Sequence, residues 1–179
     1  MAAPLDLPTL HTARLVLEPF GPQHSAGMFR LWSQEAVCRH SGPAEDAAGR
    51  PIRLPARTPA DSDGILDFFV RRAARGLGFR WAMLEGPQFV GAIGFNHLTP
   101  RVELAYHLHP SAWGRGLATE AAEAALAWAA GQGGVMEAEA FIEPANTASI
   151  RLAERLGFRK AAEPMRYVRD LTASGSPAG

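Results

Sequence analysis

Apolar and polar side chains interleave near the start of the chain. Ala13, Leu15 and Leu17 alternate with Arg14, Val16 and Glu18 until Pro19, the pattern of a half-buried strand. Pro22 to Ser33 carries Ala26, Phe29, Leu31 and Trp32 at spacings that predict a first helix. Residues 41–60 are rich in proline, glycine and arginine, with little periodicity, and read as a loop, while residues 36–60 as a whole fit no regular element. Asp61 or Ser62 is placed to cap a second helix whose apolar side is Ile65, Phe68, Phe69 and Ala73, with Gly76 and Gly78 to stop it.

Further along, Phe79 to Leu84 and Phe89 to Phe95 are two apolar runs joined through Gly86-Pro87. They predict a hairpin covered on both faces. Val102 to Leu108 is the next strand. Leu117, Ala121, Ala124, Ala125 and Trp128 then recur at helical spacing until Gly131, Gly133 and Gly134, which assigns Trp128 to the core. Val135 to Ile142 returns to strand, Asn146 to Leu156 to helix and Pro164 to Leu171 to a last strand, and the small, polar tail over 172–179 is expected to be mobile. Strands first, then a strand-helix-strand-helix unit, describe a mixed α/β sheet with no internal repeat.

Composition narrows the class without naming the chemistry. The chain has 179 residues, 47% of them hydrophobic, enough for one sizeable core and a single domain over 1–179. Eighteen acidic and eighteen basic side chains cancel, so no nucleic acid or anionic membrane is expected as a partner. The single cysteine, Cys38, fits a reducing compartment, and no targeting or spanning segment is evident, so the expected location is cytoplasmic.

The most telling segment is Trp113-Gly114-Arg115-Gly116-Leu117-Ala118-Thr119-Glu120, between a strand and a long helix. Alternate glycines let the backbone approach a ligand closely, and the helix start offers unpaired amides and a positive dipole end, so the segment predicts a phosphate cradle. Arg115 lies inside it and is a candidate partner for a phosphate. A P-loop and a dinucleotide fingerprint are both absent, and no lysine accompanies the glycines, which argues against a nucleotide-dependent kinase or synthetase.

This cradle resembles the Q/R-x-x-G-x-G/A motif of the GNAT superfamily of N-acetyltransferases, with Gly116 and Ala118 at the two small positions and Trp113 in place of the leading Gln or Arg. The run Ala112 to Ala121 is similar to the RimJ/RimL-like branch. So are Thr12-Ala13-Arg14-Leu15-Val16-Leu17-Glu18-Pro19-Phe20, Val90-Gly91-Ala92-Ile93-Gly94-Phe95 and the segment from Asn146 to Phe158. The likeness covers about residues 11–170. It implies a mixed six- or seven-stranded sheet flanked by about four helices, splayed between its fourth and fifth strands, Leu104 to Leu108 and Met136 to Ile142. It also implies acetyl-CoA as acyl donor, held by Leu104, Tyr106, His107, Leu108, Trp113, Gly114, Arg115, Gly116, Leu117, Ala118, Thr119, Asn146 and Ser149.

Acetyl transfer needs a group to take a proton from the amine, a donor for the carbonyl oxygen and a proton for the departing thiolate. The resemblance implies Glu103 as the base, Ser149 near the coenzyme sulfur as an acid and Tyr106 as a second donor. The competing readings are a solvated strand-end carboxylate for Glu103, a helix cap for Asn146 and Ser149, and a core residue for Tyr106. Glu143 is a second acid on the same side and reads as structural. Glu103, His107 and His109 share a strand face, but Glu103 and His107 are too far apart for one tetrahedral ion, so no metal is expected.

The expected activity is acetyl-CoA-dependent acetylation of a primary amine by direct attack in a ternary complex. The acceptor is a peptide N-terminus, a polyamine or a small-molecule amine, and the protein is a monomer or a homodimer. An acidic trough would suit a polyamine or aminoglycoside, and an open cleft a peptide terminus. The rival expectation is a non-catalytic acyl-CoA-binding sensor that keeps the cradle and lacks the acid and base.

Overall fold

Residues 5–172 are described by a computed structural model. Its main sheet has eight strands in the order β1-β2-β5-β6-β7-β8-β10-β9, where β1 is Leu10–His11, β2 Val16–Pro19, β5 Phe79–Glu85, β6 Gln88–Phe95, β7 Val102–Leu108, β8 Glu137–Phe141, β9 Arg159–Lys160 and β10 Arg166–Asp170. All neighbours are antiparallel except β7 and β8. The expected six or seven strands become eight because β1 and β9, two residues each, add one short rung to either edge. Ladders that short leave no periodic trace in a sequence.

Among the described residues five helices flank the sheet, where about four were expected: α1 (Ser25–Trp32), α2 (Glu35–Cys38), α3 (Pro59–Ala74), α4 (Leu117–Ala130) and α5 (Thr147–Arg155). The second helix of the sequence reading begins earlier than expected. Thr58, not Asp61 or Ser62, is its cap, and Asp61 is the acid of the first turn, its Oδ2 accepting from the Thr58 amide at 2.9 Å. Pro59 then occupies the first helical position, where its missing N–H costs nothing. The stretch read as a loop holds a hairpin of β3 (Ala44–Glu45) and β4 (Pro51–Ile52), turned at Gly49, and α2 lies just before it. Expectations about the tail over 173–179 fall outside the described residues.

Two apolar clusters lie on opposite faces of the sheet, and strand alternation sorts residues between them. Phe79, Trp81 and Met83 of β5, Ile93 and Phe95 of β6 and Leu104 of β7 face α4 and α5. There Phe79 meets Trp81 and Trp128 edge-on, with ring centroids 4.6 and 5.2 Å apart, so Trp128 is a core residue as expected. The opposite face carries Arg80 and Ala92 against α1 and α3, with Met28, Leu31, Trp32, Ile65 and Leu66. Four alanines of α4, Ala121, Ala122, Ala125 and Ala129, are fully buried and let the helix lie close on the sheet.

The parallel contact between β7 and β8 holds only two pairs, Val102 with Ala138 and Glu103 with Glu139. Beyond them β7 continues through Leu108 with no partner on that side, so the sheet parts where the family resemblance implied. Among the described residues no helix is long and apolar enough to cross a membrane.

Close packing within the antiparallel half is tightest at Gly94, where a Cβ would stand 2.2 Å from the Phe79 carbonyl oxygen. Gly94→Ala should therefore lower the unfolding free energy by about 1–3 kcal/mol, read as an earlier urea midpoint. At Gly133 a Cβ meets nothing within 4 Å, and Gly133→Ala should leave the midpoint in place.

Candidate functional site

The cradle forms because β7 ends at Leu108, a single helical turn over Pro110–Ala112 reverses the chain, and α4 begins at Leu117. Gly114 and Gly116 adopt φ of 70° and 75°, the left-handed region that glycine enters without strain. Gly116 caps α4 with no side-chain hydrogen bond. The first amide here with an acceptor is that of Glu120, which donates to the Gly116 carbonyl at 3.1 Å. Those from Gly114 to Thr119 have none among the described residues, and a Cβ at Gly114 would meet only open space. An anion approaching this turn meets several free N–H groups at the positive end of a helix, which fits a pyrophosphate.

Two side chains in the cradle differ from expectation. Arg115 forms a two-pronged pair with Glu85 at 2.9 and 2.6 Å, so its guanidinium is engaged by that carboxylate. The partner acid lies thirty residues upstream at the end of β5, beyond the reach of local pattern. Trp113 is 49% exposed, and its indole N–H donates to the Leu108 carbonyl at 2.8 Å, tying the cradle to the end of its strand. It supplies an anchor where the family motif has Gln or Arg.

A clamp missed in the sequence holds the cradle from outside. Glu120, in the first turn of α4, accepts from Thr12 Oγ1 at 2.6 Å, from the Arg14 amide at 2.8 Å and from Arg14 Nε at 2.7 Å. Arg14 also donates to the Arg115 carbonyl at 2.8 Å. Partial burial raises the Glu120 pKa, but the bonds from Thr12 and Arg14 outweigh it, so the carboxyl titrates below its ordinary range.

A cleft of about 850 Å³ opens where β7 and β8 part. On the α5 side, Tyr106 Oη and Ser149 Oγ lie 2.8 Å apart, bringing together two of the three candidate catalytic residues. Asn146 caps α5, its Oδ1 accepting from the Ser149 amide at 3.2 Å, so the cap reading holds for Asn146 and the same turn presents the Ser149 hydroxyl to the cleft. Burial pushes the Tyr106 phenol above its usual value, although the bond to Ser149 and the charge of Arg155 pull it down, so the hydroxyl keeps its proton at neutral pH.

Glu103 stands at the fork of the sheet with both carboxylate oxygens engaged. Oε1 accepts from Asn96 Nδ2 at 2.6 Å, and Oε2 lies 3.0 Å from His97 Nδ1. The other ring nitrogen of His97 is 3.0 Å from Glu139 Oε1, so one imidazole bridges carboxylates on the two parting strands. Glu139 is buried and held by Arg166 at 2.8 Å and Arg101 at 3.4 Å. Burial raises its pKa, but Arg166, His97 and Arg101 together bring it below the usual carboxylate range. Arg80 is bonded to Asn96 Oδ1 and stacks on Phe69 at 4.0 Å. Burial lowers its pKa to about 9, against the pull of nearby Glu103, and it stays charged at neutral pH. Glu139 and Arg80 were missed, although a charge inside the apolar run of β5 and the Glu-Ala-Glu alternation of β8 were visible signals.

The remaining candidates divide between the site and its supports. His107 lines the cleft against Trp32, with ring centroids 4.5 Å apart, and the Trp32 indole N–H is buried without an acceptor among the described residues. Leu104 lines the cleft, whereas Leu108 is buried in the core and its carbonyl is taken by Trp113. His109 caps the turn before the cradle by accepting from the Ser111 amide at 3.2 Å. Glu143 pairs with His40 at 3.1 Å across the rim of the cleft, in keeping with a structural role. Among the described residues no group of three His, Cys, Asp or Glu side chains could hold a metal ion.

Comparison with known proteins agrees with this geometry. The family model described as Acetyltransferase (GNAT) domain matches residues 14–159. The uncharacterized N-acetyltransferase p20 of Bacillus licheniformis is 25% identical over 157 residues, covering 85% of this chain and 83% of that protein. RimJ of Mycobacterium smegmatis, solved in complex with CoA-disulfide, superposes with a TM-score of 0.73 at 19% identity, covering 90% of this chain and 84% of that one. The microcin C7 self-immunity acetyltransferase MccE, solved in complex with acetyl-CoA and AMP, gives a TM-score of 0.73 at 15% identity, with 88% and 93% covered. At these identities the two solved structures speak for the fold.

Burial, with the positive charge of Arg80 added, holds the His107 imidazole down at about 3. The unfolded chain takes up that proton near pH 6.5 and the folded chain resists it, so stability is fully present above about 6.5 and is lost as pH falls toward 3. The expected loss from this group is up to about 1.4 kcal/mol per pH unit within that window. Urea unfolding at a series of pH values should show a flatter acid limb for His107→Asn than for the parent chain.

Proposed function

The chain belongs to the GNAT acetyltransferase family, and from that premise we propose that it transfers an acetyl group from acetyl-CoA to a primary amine, directly and within a ternary complex. The observation that carries this reading is the hydroxyl pair Tyr106–Ser149 on one wall of the parted sheet, with Glu103 at the fork and a bare amide cradle past the end of the same strand. The amides from Gly114 to Thr119 would hold the pyrophosphate, and the unpartnered edge of β7 beyond Glu103 would line the pantetheine arm. Acetyl-CoA supplies an acyl carbon already activated as a thioester.

In this reading Glu103 takes the proton that the amine nitrogen must lose, directly or through one water. Asn96 and His97 fix its orientation, and His97 gives that proton an onward route toward Glu139. As the new C–N bond forms and the C–S bond breaks, Tyr106 donates its proton to the departing sulfur. Ser149, hydrogen-bonded to the phenol, steadies it and can relay a proton from water back to the phenolate oxygen, keeping its own hydroxyl protonated. Much of the remaining acceleration comes from holding amine and thioester side by side in one cleft. Relatives of this fold bearing the names RimJ and RimL make a peptide N-terminus one acceptor class to test. A non-catalytic sensor has no need of the hydroxyl pair or the bridged carboxylate, and nothing in the site favours it.

Glu103→Gln should lower kcat about 10²–10⁴-fold, and Tyr106→Phe about 10–100-fold as a lost charge-stabilising donor, with the KM for acetyl-CoA little changed in each case. Thiol release with a good acceptor measures both. Full activity in both variants would remove these residues from the chemistry and leave the acetyltransferase assignment standing.

A further inference from the structure

Because the sheet parts at β7, the cleft has two sides of different character. Alternation along β7 sends Tyr106 toward α5 and places Glu103, Ala105 and His107 opposite α1 and α3. On that second side the walls are Phe20, Met28, Trp32, Ile65, Phe68 and Phe69, a chamber lined by aromatic and aliphatic side chains. The β3–β4 hairpin and the His40–Glu143 pair form its rim.

The charges of this chamber have the wrong sign and the wrong partners for a polycation. Glu103, already bonded to Asn96 and His97, has lone pairs left for one amine nitrogen, and Glu143 is paired with His40. Glu45, on the rim, is the one remaining carboxylate along the cleft without a recorded ion pair among the described residues. Two guanidiniums, Arg72 and Arg80, belong to the same wall, held by the Asn96 carbonyl and side chain respectively. A second ammonium placed here would face fixed positive charge in surroundings that screen it poorly.

We propose that the acceptor is a primary amine with a single positive charge and a bulky apolar body, preferably aromatic, seated between α1 and α3 with its nitrogen directed to Glu103. The proposal rests on the acetyltransferase reading above and narrows it. Burial of an aromatic group against these walls supplies binding energy that a polyamine lacks, and the nitrogen then lies near Glu103 on one side and the Tyr106–Ser149 pair on the other. The same chemistry is offered by a free arylalkylamine and by a peptide whose first residue has a large apolar side chain.

The test is thiol release from acetyl-CoA by the full chain near neutral pH. The acceptors are phenylethylamine, a peptide beginning with phenylalanine, the same peptide beginning with serine, spermidine and kanamycin. The expected result is a kcat/KM at least about tenfold higher for phenylethylamine or the phenylalanine peptide than for spermidine, kanamycin or the serine peptide. Whichever of the two favoured acceptors leads identifies the source. Phe68→Glu, at a partly exposed helix position, should cut the apolar preference about tenfold while leaving the KM for acetyl-CoA unchanged. A preference for spermidine or kanamycin, or a serine peptide as fast as the better of the two apolar acceptors, would overturn the chamber assignment while the transferase reading stands. No thiol release with any acceptor would overturn both.

Discussion

The short ladder between β7 and β8 governs the site. Two residue pairs join the strands, and the second sets Glu103 opposite Glu139, a like-charge pairing that is unfavourable by itself. His97 lies between the two carboxylates, and Arg166 and Arg101 hold the far one, so the fork is closed by a bridged set of charges. Past that point the strands diverge, and the gap becomes a cleft. The same residues therefore end the ladder and furnish its floor with a carboxylate that can receive a proton.

Other parts of the fold take their positions from the fork. The end of β7 leads into the cradle, and Trp113 fixes that turn to Leu108. The clamp from Thr12 and Arg14 to Glu120 then joins the first strand region to the first turn of α4 from the opposite edge. On the other strand, β8 leads to the Asn146 cap, and one helical turn places Ser149 beside Tyr106. A capping residue with a mundane structural role thus fixes the geometry of the hydroxyl pair in the cleft. The division of the cleft into a hydroxyl-lined side and an aromatic side follows from strand alternation alone, because a parted strand still sends successive side chains to opposite faces.

Much of this was legible residue by residue. Alternation in β2, the apolar runs of β5 and β6, the alanine stripe of α4 and the glycines at 114 and 116 each obey short-range rules, so their elements and the glycine turn could be read directly. The capping box at Thr58 and Asp61 was also local, yet a Pro-rich approach concealed the start of α3. The β3–β4 hairpin escaped because two-residue strands have no period to detect. Arg115 was read as a phosphate ligand because its neighbours in sequence are amides, whereas its neighbour in space is Glu85.

The sequence by itself determined the class of fold and the glycine turn that opens α4, since each depends on residue type at fixed local spacing. Only the tertiary structure decided which groups meet: Tyr106 with Ser149 across forty-three residues, His97 with Glu139 across forty-two, and the aromatic wall of α1 and α3 against β7. Such pairings depend on how strands are ordered and where they separate. Local propensity carries no information about that, because contacts between distant segments are fixed by packing the whole sheet at once.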